Sequence, residues 1–380
     1  MRSRIEADIR GWDAITDHRT GTEGDQATAD WLAEAVRAAG AEPHLEPFAF
    51  DRRVLHECSV TCADRRADGV PLFDGGLTDA AGVAAPLAPL EENGASIGVT
   101  PFTSRGGDAA TRSMVAARRR GASGIVAHAA AEEIVPGLAL LNAPHYDRPF
   151  GPPVLQVSSE HREWLQAAAG ERAPARLVAH ATIEATTVSN VTTRVPGTRG
   201  DLAPLVVLTP RSAWWTCTAE RGGGIAAWLE CLRRFVGTPP ERDVVFVATT
   251  GHELGHAGLG HHLKTRASLA GAAHAWIHLG ANFAATGASV RFQASPDFLR
   301  VGLEALESEG VPPDSVTEPG SPPFGEAHNV HDAGGRYVSL LGAQRWFHHP
   351  DDRWPETIDL DRTERLCRAV LRMADGLSRG

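Results

Sequence analysis

The chain has 380 residues, 42% of them hydrophobic and 22% charged, with 47 acidic against 37 basic side chains and a formal net charge of −10. That length suits a core of roughly 200–250 residues plus a second module of about 100. The acidic balance, with no basic run longer than Arg118-Arg119-Arg120, argues against nucleic-acid binding as the main activity, because phosphate contacts need a basic surface.

The opening residues, Met1 to Asp8, lack an apolar stretch, and no segment reaches about 18 apolar residues, so neither a signal peptide nor a membrane span is expected. The first fifty residues read as a helix, a loop and a second helix. From Gln26 to Ala39 that second helix sets Trp31, Leu32, Ala35, Val36 and Ala39 on one face, and Gly40 follows where a helix ends at positive φ. Pro47 to Phe50 then alternates enough for a strand.

Between Cys58 and Thr187 short apolar runs are separated by Gly/Pro turns: Ala95 to Val99, Gly124 to Ala127, Val154 to Val157. Two helices, about Asp108 to Arg120 and His161 to Ala169, lie between them. This texture predicts a small β-rich module (58–187) inserted into a larger domain made of 1–57 and 188–380. Five cysteines, at 58, 62, 217, 231 and 367, are scattered and odd in number, which suits a reducing cytoplasm rather than a disulfide framework.

From Ser189 strands and helices alternate. Leu205–Leu208, Val244–Ala248, Ala275–Leu279 and Tyr337–Leu341 read as buried strands. Gly224–Phe235, a segment from about Leu254, Asp297–Glu309 and Asp361–Leu377 read as helices. Continuous apolar strands between helices predict an α/β fold with a mostly parallel sheet sandwiched by helices. In such sheets ligands bind beyond the carboxyl ends of the strands. Those ends carry Arg211, Trp214, Trp215, Glu220 and Arg221; then His252 and Glu253; then His278; and finally His348.

His252-Glu253-Leu254-Gly255-His256 matches H-E-x-x-H, the zinc-protease pattern that needs a helix. The context opposes it. The motif follows a buried strand directly, glycines at 251, 255, 258 and 260 punctuate it, and each costs up to about 1 kcal/mol in a helix interior.

A different pattern covers nearly the whole chain in order. Thr20-Gly-Thr-Glu-Gly, Ser189-Asn-Val to Gly197, Val244 to His262, Glu326-Ala-His-Asn-Val-His-Asp-Ala-Gly and Phe347-His-His-Pro-Asp-Asp resemble segments of the M28 zinc aminopeptidases. The inserted module, with Gly121-Ala-Ser-Gly-Ile-Val after a helix, resembles a protease-associated domain. The resemblance implies a zinc aminopeptidase-like fold and a site in which two zinc ions are held by a His-x-Asp pair, a bridging Asp, a Glu, a second Asp and a final His. A further Glu acts there as general base.

Transferred position by position, the His-x-Asp pair falls on Pro210 and Ser212, the bridging Asp on Glu220, the general base on His252, the Glu ligand on Glu253, the second Asp on Gly280 and the last His on His348. Pro, Ser and Gly cannot replace those ligands. Glu220, Glu253 and His348 remain, enough for one zinc at most, since a catalytic zinc needs three protein ligands. Arg221 places a positive charge where a second cation would sit. His252, with an ordinary imidazole value near 6.5, is the candidate base beside Glu253. Arg211, Trp214, Trp215, Arg221, His278 and Glu326 are the candidate substrate-binding residues, because guanidinium forks onto carboxylates and Trp offers a flat apolar wall.

The expected function is hydrolysis of a small amide or peptide with a reduced or altered metal site. A metal-free, non-hydrolytic enzyme and a pseudoenzyme whose cleft binds a ligand or partner stand as alternatives. The expected partner is a small-molecule or peptide substrate, with no nucleic acid and no membrane, in a cytoplasmic protein; a homodimer is left open.

Overall fold

The computed structural model describes residues 1–104, 107–130 and 135–380, those at 107–110 by their backbone alone. The chain begins with α1 (Arg2–Asp13) and α2 (Glu23–Ala38) and enters the long strand β1 (His44–Cys62). Next come β2 (Arg65–Pro71), β3 (Val83–Pro89), β4 (Ile97–Phe102), α3 (Gly107–Arg119), β5 (Gly124–Ala129), β6 (Val154–Val157) and α4 (Arg162–Gly170). A second long strand, β7 (Pro174–Val195), leads back to the core: β8 (Leu205–Pro210), α5 (Thr218–Gly237), β9 (Val244–Thr249), α6 (Ala257–Thr265), α7 (Leu269–Ala272) and β10 (Ala275–Leu279). The chain closes with β11 (Ser289–Ala294), α8 (Leu299–Ser308), β12 (Ser315–Val316), α9 (Ala327–Asp332), β13 (Tyr337–Ala343) and α10 (Leu360–Leu377).

The centre of the core sheet is parallel, in the order β9-β8-β10-β13. β7 joins β9 antiparallel on one side and β11 joins β13 antiparallel on the other. The central runs are apolar without alternation because helices cover both faces. α1, α2, α5 and α10 share one continuous core with Ile9, Trp12, Leu32, Trp228, Phe246 and Val370, while α6 and α9 pack on the other face through Leu259, Ala327 and Val330. Among the described residues no helix is long and apolar enough to cross a membrane.

In the inserted part, β3, β4, β5 and β6 are parallel, β2 pairs antiparallel with β6, and β1 and β7 close the ring by pairing with β2, with β3 and with each other. The expected boundaries at 58 and 188 fall inside β1 and β7, which run unbroken from the core into the ring. One antiparallel ribbon, with a register shift between Leu55 and Cys58, therefore belongs to both parts.

Two helix ends bear on the site. At α2, Thr22 accepts the Asp25 N–H at 3.3 Å, and Asp25 accepts the Gly21 N–H at 2.9 Å, so the first turn is capped locally. Gly40, at φ +88, ends the helix as its position predicts. α5 has no local side-chain cap: its flanking residue Cys217 is left-handed at φ +46. The cap comes from Asp352, whose two oxygens accept the Ala219 and Glu220 N–H groups at 2.8 and 3.0 Å.

Removing that distant cap tests its weight. Asp352→Ala is expected to destabilise the protein by about 1–2 kcal/mol, the usual loss for an N-cap carboxylate, read as a lower denaturant midpoint.

Candidate functional site

The loops after β8, β9, β10 and β13 meet at one end of the core sheet. Of the six non-glycine residues at positive φ among the described ones, four lie in these loops: Cys217, His256, Asn282 and His348. Left-handed backbone costs a non-glycine residue about 1–2 kcal/mol, so the surrounding packing must enforce it, as is common where loops are held for function.

At the floor of this region lies Arg221, in the first turn of α5 and 1% exposed. Its Nη2 donates to Glu253 Oε1 at 2.6 Å and pairs with Glu220 Oε1 at 2.8 Å, while its Nε donates to the Ser212 carbonyl at 2.7 Å. The second Glu253 oxygen accepts the Ser212 hydroxyl at 2.6 Å, and Ser212 Oγ in turn accepts the His252 N–H at 3.0 Å. One guanidinium thus ties together the loops after β8 and β9. Burial pushes the Glu220 carboxyl up, but Arg221 and then His348 outweigh it and bring it down to about 2.

Three observations test whether zinc fits. Arg221 already contacts both retained carboxylates, so a divalent ion there would lie against a fixed positive charge. Position 280 has no room for a ligand: a Cβ would stand 2.7 Å from Leu341 Cδ2 and 2.9 Å from His278 Cε1. Glu220 Oε1 and His348 Nε2 lie 3.4 Å apart, but with Glu253 they do not form a set of three ligand atoms all within 4.8 Å of one another. Among the described residues, Cys217, Glu220 and Asp352 form the one group of three such side chains whose ligand atoms lie within 4.8 Å of one another. That group is a helix cap, because the Asp352 oxygens are taken by backbone N–H groups and burial holds the Cys217 thiol well above its ordinary value. The residues present do not fit the metal.

The histidines are placed as follows. His348 Nδ1 donates to the Leu140 carbonyl at 2.6 Å, which leaves Nε2 without a hydrogen-bond partner and 3.4 Å from Glu220 Oε1. His252 stacks on His256 at 4.8 Å between ring centroids, and its Nδ1 is 3.5 Å from Glu326 Oε1. Burial first, then Arg221 and His256, hold His252 well below the ordinary imidazole range. It is therefore neutral near pH 7.

Several expected substrate-binding residues lie below the cleft instead. Arg211 is 1% exposed, paired with Asp25 at 2.7 Å and donating to the Ser189 carbonyl; a buried partner 186 residues away consumes its fork. His278 is buried against Ser339 at 2.8 Å, and burial holds it down at about 3. Glu326 is buried and accepts the Thr249 hydroxyl at 2.8 and 2.9 Å. Trp215 packs against the core with Arg19 over its ring. Trp214 donates to Asn142 at 3.0 Å and packs near Phe73 of the inserted part, and it lines a cavity.

The open cleft itself measures about 410 Å³ and is lined by His252, His256, Asn282, Arg291, Phe324 and Phe347 among others. Arg291 and Phe324 carry no signal in the sequence, whereas His256 is the second histidine of the His252-Glu253-Leu254-Gly255-His256 pattern. Phe324 is 56% exposed with the Arg291 guanidinium 4.8 Å over its ring, a pairing that no local spacing signals.

No protein-family model matches the chain, and no curated protein does. Among solved structures, it is similar to BSAP, a zinc aminopeptidase from Bacillus subtilis, with TM-score 0.80 and 18% identity over 100% of this chain and 95% of that one. It also resembles a Peptidase M28 precursor from Shewanella amazonensis SB2B, with TM-score 0.76 and 16% identity over 100% and 97%. An aminopeptidase from Aneurinibacillus sp. strain AM-1 matches with TM-score 0.75 and 13% identity over 100% and 94%. Over its full length, then, the chain has the fold of the M28-type zinc aminopeptidases.

The buried ion pairs make a direct prediction. Arg221→Met strands Glu220 and Glu253 without a cation and should cost about 3–5 kcal/mol, whereas adding Glu220→Gln and Glu253→Gln to it should recover most of the loss. The pH dependence follows from the sign of the shift. In the wild type the Glu220 carboxyl is lowered, so its contribution is present above about pH 4.5 and is lost as pH falls toward 2. In Arg221→Met burial dominates and the Glu220 carboxyl rises, so that variant should lose stability as pH rises from 5 to 8. Denaturant midpoints across that range measure both.

Proposed function

We propose that the strand-end cleft binds a small amide- or peptide-like ligand without zinc, with the buried Arg221 guanidinium taking the place between Glu253 and Glu220 that a metal cation would occupy. The observation that carries this reading is the Arg221 guanidinium held between Glu253 and Glu220. A cation built into the chain is shared by Glu220 and Glu253, two of the positions that the resemblance assigns to metal ligands, and it needs no ion from solution.

The cleft suits recognition better than proton transfer. A general base works best with its value near the working pH, and His252 lies well below that. As a neutral imidazole it is instead a hydrogen-bond donor and acceptor, matched to an amide. His256 beside it is oriented by Asn329 Oδ1 at 2.6 Å. Phe324 and Phe347 supply the apolar wall of the same cleft.

A hydrolase with one metal ion, the activity suggested by the fold of the similar structures, is favoured by one feature. His348 Nε2 is buried without a hydrogen-bond partner, 3.4 Å from Glu220 Oε1, which itself pairs with Arg221 at 2.8 Å. These are two donors, and a catalytic zinc takes three from the protein.

Elemental analysis separates the two readings. The purified protein is expected to hold no stoichiometric zinc, before or after dialysis against excess zinc, and to show no zinc-dependent release of amino acids from peptide substrates. One zinc per chain, lost in His348→Ala, would replace this reading with the one-metal hydrolase.

A further inference from the structure

Glu253 and Leu254 face away from the cleft lined by His252, into a second cavity of about 260 Å³. Its other walls come from the turn before α2, from β1, from the loop after β8 and from the inserted part, and they carry Arg19, Arg52, Arg53, Phe73, Tyr146 and Trp214. Three guanidinium groups and three aromatic rings around one small space were marked by no motif, because they lie up to 195 positions apart in the chain.

The three arginines are not equally paired. Arg19 bonds Asp17 at 3.2 Å. Arg52 bonds Glu184 at 2.7 Å and the Gly21 carbonyl at 3.1 Å. Arg53 has no carboxylate within ion-pairing distance among the described residues: its Nη2 donates to the Tyr146 carbonyl at 3.1 Å, and its Nη1 is shielded from solvent with no acceptor. Its guanidinium stacks 4.0 Å over Tyr146 and lies 5.2 Å from the Phe73 ring. Asp74, the nearby acid, accepts the His145 N–H at 2.8 Å; burial pushes its carboxyl up to about 6 against the attraction of His145 and Arg53, and it forms no ion pair with Arg53. Glu253 at the floor is paired with Arg221 at 2.6 Å, a cation that it shares with Glu220.

A half-buried cation with an unsatisfied donor is costly, and an anion in the adjoining space offsets that cost. We propose that this pocket binds a small carboxylate with an apolar or aromatic body: the carboxylate lies against Arg53, with Arg19 and Arg52 at the rim, and the body lies between Phe73, Tyr146 and Trp214. The volume falls just under the roughly 300 Å³ at which sites for drug-sized ligands begin, so the occupant is about the size of one aromatic residue. A free aromatic acid and the C-terminal residue of a peptide share this chemistry.

Calorimetric titration of the full chain tests the assignment with three probes: phenylacetate, N-acetyl-glycyl-phenylalanine and the C-terminal amide of that dipeptide. The dipeptide acid is expected to bind at least about tenfold more tightly than its amide, the effect of one charge-assisted hydrogen bond. Arg53→Met should remove that preference and leave the amide unchanged, while Arg53→Lys keeps part of it. Binding of phenylacetate as well assigns the site to free acids, and binding of the dipeptide acid alone assigns it to peptide C-termini. Equal affinity for acid and amide, no binding of either acid, or a preference that survives Arg53→Met would overturn the proposal. Should Arg53→Met fail to fold, the contrast between acid and amide on the wild type decides. The proposal does not rest on the metal-free reading: zinc found by elemental analysis would end that reading and leave this one standing.

Discussion

The strand-end region is organised around one guanidinium buried between two carboxylates. Arg221 is fixed by its place in the first turn of α5, and that turn exists in this form because Asp352, from the loop after β13, caps it. Through Glu253 and the Ser212 carbonyl the same guanidinium holds the loops after β9 and β8. Three strand ends are thereby locked by charge-assisted hydrogen bonds in a region of low dielectric, where such bonds are strong and their loss is expensive. A metal ion would hold the carboxylates by the same Coulomb attraction, but its hold would vary with supply and with competing protons. The guanidinium is part of the chain and stays charged at every relevant pH.

That exchange explains other features of the site. With a fixed cation on Glu220 and Glu253, a further carboxylate at position 280 would have nothing to neutralise it, and the structure fills that space with Leu341 and His278. The strained backbone at Cys217, His256, Asn282 and His348 remains. Such strain persists only where packing over-determines it, so these loops keep a defined shape. A cleft with a rigid outline, a neutral histidine pair and an exposed aromatic rim is a recognition surface whatever chemistry follows.

Much of the architecture could be read from the residues. Leu205–Leu208, Val244–Ala248 and Ala275–Leu279 are strands because runs without polar alternation can only be buried on both faces, and β8, β9 and β10 lie there. α5 starts at Thr218, six residues before the expected Gly224, since Gly222-Gly223-Gly224 looks like a loop out of context. In the fold those glycines let neighbouring elements approach: a Cβ on Gly222 would be 3.3 Å from Ile9 of α1. β11 was missed because it joins β13 antiparallel at the edge of the parallel core. At the site, the closeness of Arg221 to Glu220 was legible from their adjacency in the chain. The burial of Arg211 was not, because its partner Asp25 lies on α2, brought close only by the packing of that helix on the sheet. Local spacing reports which side chains share an element; it carries no information on which distant carboxylate will neutralise a charge.

The contrast between Arg211 and Arg53 shows what decides whether an arginine belongs to the scaffold or to a ligand. Both are shielded, and both leave one nitrogen without a partner. Arg211 has a carboxylate at 2.7 Å and lies 1% exposed, so its charge is spent within the fold. Arg53 has only a carbonyl and two ring faces, and it borders open space. Ring faces stabilise a cation by about 0.5–2 kcal/mol, less than a buried carboxylate supplies, so Arg53, with Asp74 acting on it only from beyond ion-pairing distance, keeps a place for an anion beside the cavity. The sheet end therefore divides its positive charge between two tasks. Arg221 is shared between the carboxylates of Glu220 and Glu253, and Arg53 is held beside the cavity, where an anion can meet it.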